Sequence, residues 1–197
     1  MASIGKAAAA GLAACALWTA PALAQLASHP SGEPGPHGRE DRRGIYLGLA
    51  GDFGAQFATG LDARLSYGGE VKLGYAINRS IQLYLAGSVL NATYDLFSQQ
   101  LILATAHLHQ FLFLDRSGLG VFYDAGVGVG AVSPGFGPLG NTGLGLGYSG
   151  GLGVEIPLAR SFSLVPELYY RAVSASSEGG ASGTVSAVGL QLGVVYY

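Results

Sequence analysis

From Gly44 onward, hydrophobic side chains fall on alternate positions, and turn residues interrupt the alternation at regular intervals. A period of two is that of a β-strand with one apolar face. The pattern predicts eight strands, near 44–54, 65–77, 81–90, 99–114, 119–131, 143–156, 162–172 and 184–197. The first has Ile45, Leu47, Leu49 and Phe53 on its apolar parity, the second Tyr67, Val71, Leu73, Tyr75 and Ile77, and the third Ile81, Leu83, Leu85 and Val89. The fifth has Leu119, Val121, Tyr123, Val127 and Val129, and the sixth Leu144, Leu146, Tyr148, Leu152, Val154 and Ile156. Phe162, Leu164, Leu168 and Tyr170 mark the seventh; Val188, Leu190, Leu192, Val194 and Tyr196 mark the last. The fourth is the poorest, because Gln110 breaks its set of Ile102, Ala104, Ala106 and Leu108.

The connections alternate in kind. Those at Asn78–Ser80, Asp115–Gly118 and Pro157–Ser161 are tight, while those near 55–64, 91–98, 132–142 and 173–183 are longer. Short turns on one rim and longer loops on the other describe an eight-stranded antiparallel up-and-down transmembrane β-barrel, with both chain ends on the short-turn, periplasmic rim.

Composition supports a membrane over water. Hydrophobic residues make up 49% and charged residues only 11%, where a soluble domain carries about 25% charged. Yet no internal run reaches the ~18 apolar residues of a spanning helix. The longest candidate, Leu101–Leu114, is interrupted by His107, His109 and Gln110. The 33 glycines count further against helix, each costing about 1 kcal/mol there. Aromatic residues sit at the ends of the apolar faces. Phe53, Tyr67, Tyr148 and Tyr170 fall at the loop end, and Tyr75, Phe162 and Tyr196 at the turn end, as two interfacial girdles.

The opposite parity carries Asp52, Glu70, Lys72, Gln82, His107, His109, Asp124, Glu155, Glu167, Arg171 and Gln191 among many glycines. Polar groups inside and aliphatic groups outside suit a barrel in lipid and exclude a soluble barrel with an apolar cavity. An interior of eight strands is wide enough only for its own side chains, and buried charges need partners. Glu70, Lys72, His107, His109, Asp124, Glu167, Arg171 and Gln191 are therefore expected to form a polar network that plugs the lumen. Lys72 and Arg171 are expected to pair with Glu70, Asp124 and Glu167. Acids outnumber bases there, so water, a cation or protonated histidine is expected to complete the balance.

Ahead of the barrel, Lys6, an apolar stretch from Ala7 to Trp18 and the small-x-small site Ala22-Leu23-Ala24 read as a signal peptide over 1–24 for Sec-type export, cleaved near Ala24. Leu12-Ala13-Ala14-Cys15 offers lipoprotein processing at Cys15 as the alternative. Residues 25–43, rich in Pro, Gly and charge, read as a disordered periplasmic leader whose His29 and His37 are solvated. Cleavage near Ala24 removes the one Cys, hence all thiol chemistry. It also removes Lys6, leaving 9 basic against 12 acidic residues, or −3, which is no nucleic-acid footprint. No metal and no cofactor are expected.

The stretches Gly44–Gly51 (GIYLGLAG), Gly69–Tyr75 (GEVKLGY), Val121–Gly130 (VFYDAGVGVG) and Leu192–Tyr197 (LGVVYY) resemble the OmpA/OmpX-like outer-membrane barrel superfamily over residues 44–197. The resemblance implies a monomeric barrel in outer-membrane lipid. It also implies that the terminal aromatic strand addresses the barrel assembly machinery, although the apolar set is in phase with Tyr196 and not with Tyr197. No peptidoglycan-binding domain is expected after the barrel, so wall tethering is not implied.

No Ser–His–acid grouping is evident at either rim, so no enzymatic role is expected. The loops are rich in Gly, Ser and Ala, and the turns carry Arg79, Arg116 and Arg160. The reading is a structural barrel with a closed or barely permeable lumen. A narrow solute pore and a surface-interaction barrel are the alternatives.

Overall fold

The computed structural model describes residues 44–58, 62–94, 98–115, 118–134, 143–159, 161–176 and 182–197. The expected signal peptide, the lipoprotein alternative at Cys15 and the leader lie outside them. Eight strands follow in order: β1 (Gly44–Ala58), β2 (Arg64–Ala76), β3 (Ile81–Thr93), β4 (Ser98–Leu114), β5 (Gly120–Pro134), β6 (Gly143–Pro157), β7 (Phe162–Ser176) and β8 (Ser182–Tyr196). Each pairs antiparallel with its sequence neighbours, and β1 pairs with β8 to close the barrel.

Side chains within the tight turns hold them in shape. Asn78 Oδ1 accepts from the backbone N–H groups of Ser80 and Ile81, each at 2.8 Å. Asp115 Oδ1 does the same for Leu119 N at 2.8 Å. Such turns use Asn and Asp because a short acceptor reaches its own backbone a few residues on. Gly118 closes the second turn at φ +90°, a conformation that side chains resist.

At the loop end the strands run further than their hydrophobic pattern. β1 extends to Ala58, β3 to Thr93, β5 to Pro134 and β7 to Ser176, so the loops are shorter than expected. Part of the extra ladder carries small and hydroxyl residues, as where Ser174 pairs with Thr184 and their hydroxyls meet at 3.2 Å. Strand pairing is a backbone property and continues where side chains carry no apolar signal.

The outward faces follow the alternation. Leu85 is 64% exposed, and Val129 and Leu190 are each 67% exposed. Apolar area on that scale, running round a closed sheet, is a surface for lipid and not for water. The girdle residues Phe53, Tyr67, Tyr75, Phe162, Tyr170 and Tyr196 are exposed on this face, and Tyr148 is half-buried. Phe53 stands opposite Tyr67 in the ladder. The rings of Tyr148 and Tyr170 lie 6.3 Å apart, and those of Phe162 and Tyr196 5.0 Å apart.

Two positions depart from the expected face. Ile81 is only 6% exposed; it follows directly on the β2–β3 turn, whose backbone folds back onto its carbonyl. In β4, a register shift between Phe111 and Phe113 inserts Leu112, so Leu112 and Phe113 are both exposed. A bulge of one residue resets the phase of a strand in this way.

The glycines are explained by the width of the barrel. On β6 the inward positions are Gly143, Gly145, Gly147, Ser149, Gly151, Gly153 and Glu155. Large side chains from neighbouring strands occupy the space left on that wall. A Cβ on Gly153 would stand 2.5 Å from Phe122 and 2.8 Å from the Pro166 carbonyl. Cβ atoms on Gly126 and Gly151 would collide with His107 and Glu167.

Two stability outcomes are expected for refolding into vesicles, read as shifts in the urea midpoint. Leu73→Arg on the lipid face lowers stability by about 2–4 kcal/mol if the site is near the midplane. Gly153→Ala lowers it by about 1–3 kcal/mol through overpacking.

Candidate functional site: the filled lumen

The inward parity delivers Asp52, Glu70, Lys72, Gln82, His107, His109, Asp124, Glu155, Glu167, Arg171 and Gln191 to the lumen, where all are buried. β1, β2, β7 and β8 supply the centre of the network. Arg171 donates to Asp52 Oδ2 at 2.7 Å and to Glu70 Oε2 at 2.9 Å. Lys72 Nζ lies 3.0 Å from Glu167 Oε2 and 3.1 Å from Glu70 Oε1. Glu70 thus bridges the two cations. Gln191 ties the same groups again: its amide donates to Asp52 at 2.8 Å and to Glu70 at 3.2 Å, and its carbonyl accepts from Lys72 at 3.2 Å.

The pairing differs from the sequence expectation in one respect. Asp124 is not an ion-pair partner of Lys72 or Arg171; its Oδ1 faces His107 Nδ1 at 3.3 Å. Asp52 takes the place expected for Asp124. Asp52 stands opposite Gln191, and Gln191 opposite Glu167, so ladder register brings these three strands' polar groups together. Asp124 lies across the barrel beside β4, opposite His109 and one ladder step from His107.

His107 stands at a second branch. Its Nε2 lies 2.8 Å from Thr105 Oγ1 and 2.8 Å from Ser149 Oγ, and its ring stacks on Tyr84 with centroids 4.4 Å apart. Asp124–His107–Ser149 has the order of a hydrolase triad. Thr105, however, competes for the same nitrogen. Strand pairing on both sides of Ser149 engages the backbone N–H groups that an oxyanion hole would need. The chain of contacts therefore orients His107 within the packing. His109 joins an aromatic cluster, stacking on Phe122 at 4.1 Å and meeting Phe111 edge-on at 4.9 Å.

The lumen is not polar throughout, as the sequence reading had it. Above the charged belt, Leu90, Leu101, Leu103, Val132, Tyr169, Val173, Val185 and Ala187 form a buried apolar cluster towards the loops. Below it, Tyr46, Tyr84, Ala86, Phe111, Phe122, Val165 and Val195 form a second cluster, with Leu114 and Tyr197 against it. Beneath these, the Tyr197 hydroxyl donates to Glu155 at 2.8 Å and accepts from Gln82 at 3.1 Å. At the loop end Gln56 donates to Gln99 at 2.9 Å. These inward aromatic and aliphatic residues follow from the same parity rule as the polar ones. Lys72 lies 5.2 Å from the centre of the Tyr84 ring, and Arg171 4.4 Å from that of Tyr169. Each cation therefore faces an aromatic wall of the adjacent apolar cluster. Among the described residues no group of His, Cys, Asp and Glu is arranged to hold a metal ion.

No protein-family model and no curated protein sequence matches the chain. Solved structures do. Neisserial surface protein A (NspA) matches with TM-score 0.65 at 13% identity, over 77% of this chain and 96% of NspA. Ail, the attachment invasion locus protein of Yersinia pestis, matches with TM-score 0.54 at 15% identity, over 78% of this chain and 98% of Ail. Likeness at such low identity is likeness of fold. The closed eight-strand ladder, the apolar outer surface and these two matches agree on the fold, a small eight-stranded antiparallel barrel like those of NspA and Ail.

Proposed function

We propose that this protein is a structural outer-membrane barrel whose lumen is closed along its length. The observation that carries the reading is the layered filling of the interior, with an ion-paired belt held between two apolar clusters. A solute entering from either rim would have to displace packed side chains before reaching the charges. Each large side chain buried there gains about 1.5–3 kcal/mol over exposure to water, so a wet path is disfavoured at both caps. Apolar clusters on both sides of the charged belt, among the described residues, count against the narrow-pore alternative. Export by a signal peptide cleaved near Ala24, insertion through recognition of the last strand, and a monomeric state complete the proposal, along with the absence of an enzymatic role. The surface-interaction alternative rests on loop residues largely outside the described ones.

Planar-bilayer recordings test the closed lumen. The wild type is expected to show no large, stable channel; one present in the wild type would contradict the reading. Arg171→Ala removes the cation of Asp52 and leaves Glu70 with Lys72 alone. Breaking a buried pair from one side costs about 3–5 kcal/mol, and urea unfolding from vesicles is expected to show a loss of that order.

A further inference from the structure

Four strands share one inward row on the loop side of the charged belt. Ladder register places Tyr169 of β7 opposite Gly189 of β8, Gly189 opposite Gly54 of β1, and Gly54 opposite Ser66 of β2. The two central positions carry no side chain, so the Tyr169 side chain can lie over Gly189 towards β1. A Cβ on Gly189 would stand 2.8 Å from the Tyr169 hydroxyl. This brings that hydroxyl beside the one of Ser66, without the alignment of a hydrogen bond. Gln56 is the next inward residue of β1 after Gly54, one step closer to the loops.

Gln56, Ser66 and Tyr169 are each at most 1% exposed. The Gln56 side-chain nitrogen donates to Gln99 at 2.9 Å. Gln56 Oε1, Ser66 Oγ and the Tyr169 hydroxyl have no hydrogen-bond partner among the described residues. Buried polar atoms are as a rule hydrogen-bonded. Three such atoms from neighbouring strands point to one small ligand between them, and their chemistry says which. Gln56 Oε1 only accepts, whereas each hydroxyl has one hydrogen to give and lone pairs to receive. The ligand must therefore both donate and accept. A metal cation cannot donate, the set holds no carboxylate, and the Arg171 guanidinium lies 4.4 Å from the centre of the Tyr169 ring. An anion has no hydrogen for Gln56 Oε1.

We propose that Gln56, Ser66 and Tyr169 hold one ordered water molecule in the loop-side half of the lumen. It donates to Gln56 Oε1 and Ser66 Oγ and accepts from the Tyr169 hydroxyl, the three bonds that a buried water typically makes. Through it β7 is tied to β1 and β2 above the ion-paired belt.

A crystal structure of the barrel, at a resolution that shows ordered water and from crystals grown with rubidium chloride, tests this. The wild type is expected to show one density peak within about 3.2 Å of both Gln56 Oε1 and the Tyr169 hydroxyl, with no rubidium anomalous signal. Tyr169→Phe and Ser66→Ala each remove one of its three partners, and each is expected to cut the peak's occupancy at least by half. Both variants should keep the heat-dependent gel shift of a folded barrel; if either does not fold, the wild-type map still decides. A hydroxyl bonded directly to Gln56 Oε1 with no peak between them would overturn the proposal, as would full occupancy in either variant. An anomalous peak would replace the water by a cation. A file of waters running from the site to a rim would overturn the isolated site.

Discussion

Within hydrocarbon, the N–H and C=O groups of a strand have no partner except another strand. Closure of β1 on β8 is therefore the condition on which everything else here rests. Once the sheet is closed, each strand has one face in lipid and one in a narrow interior, and alternation of side chains follows directly. The outer face is fixed by solvent. The inner face is fixed by packing, since eight strands leave room only for the side chains themselves.

That second constraint explains both the glycines and the charges. β6 places glycines at most of its inward positions, so Phe122 and Glu167 can occupy space beside it, and its Ser149 hydroxyl meets His107. The carboxylates and cations lie in the middle of the barrel, where they have each other and Gln191 as partners. Aromatic and aliphatic clusters lie on both sides of that belt. In such a buried setting each ion pair is stronger, and each missing partner is more costly. The same layout sets the Asp124–His107–Ser149 contacts within the packed interior, where they orient His107.

Much of this was legible in the sequence. The number of strands, their order, the short turns and the lipid face all follow from a period of two punctuated by Asn, Asp and Gly. The turn-end strand limits were read closely because the apolar pattern runs up to Asn78 and Asp115. The loop ends were not, since Ser174 and Thr184 continue a ladder without hydrophobic contrast. Ile81 was misplaced because parity ignores the fold of a turn onto its neighbour. Partner choice in the lumen was out of reach for a different reason. Parity shows which side chains enter the interior, but the angular stagger of the strands decides which of them meet. That stagger gave Asp52 to Arg171 and left Asp124 to His107. Tyr46, Tyr84, Leu101 and Phe122 carried the inward parity too. The rule that sorts apolar from polar across a membrane does not apply inside, where any side chain that fills the space is admissible.

The central claim is that the middle of the barrel is sealed from both rims, and thiol accessibility measures it most directly. Ser88, buried between the charged belt and the loop-side cluster, and Thr93, exposed at the loop end of the same strand, would each be replaced by cysteine in a Cys15→Ser background. The barrel would then be folded into vesicles and treated with a small water-soluble methanethiosulfonate. Rapid reaction at position 93 with none at position 88 is the expected result. Comparable rates at the two positions would contradict a closed lumen.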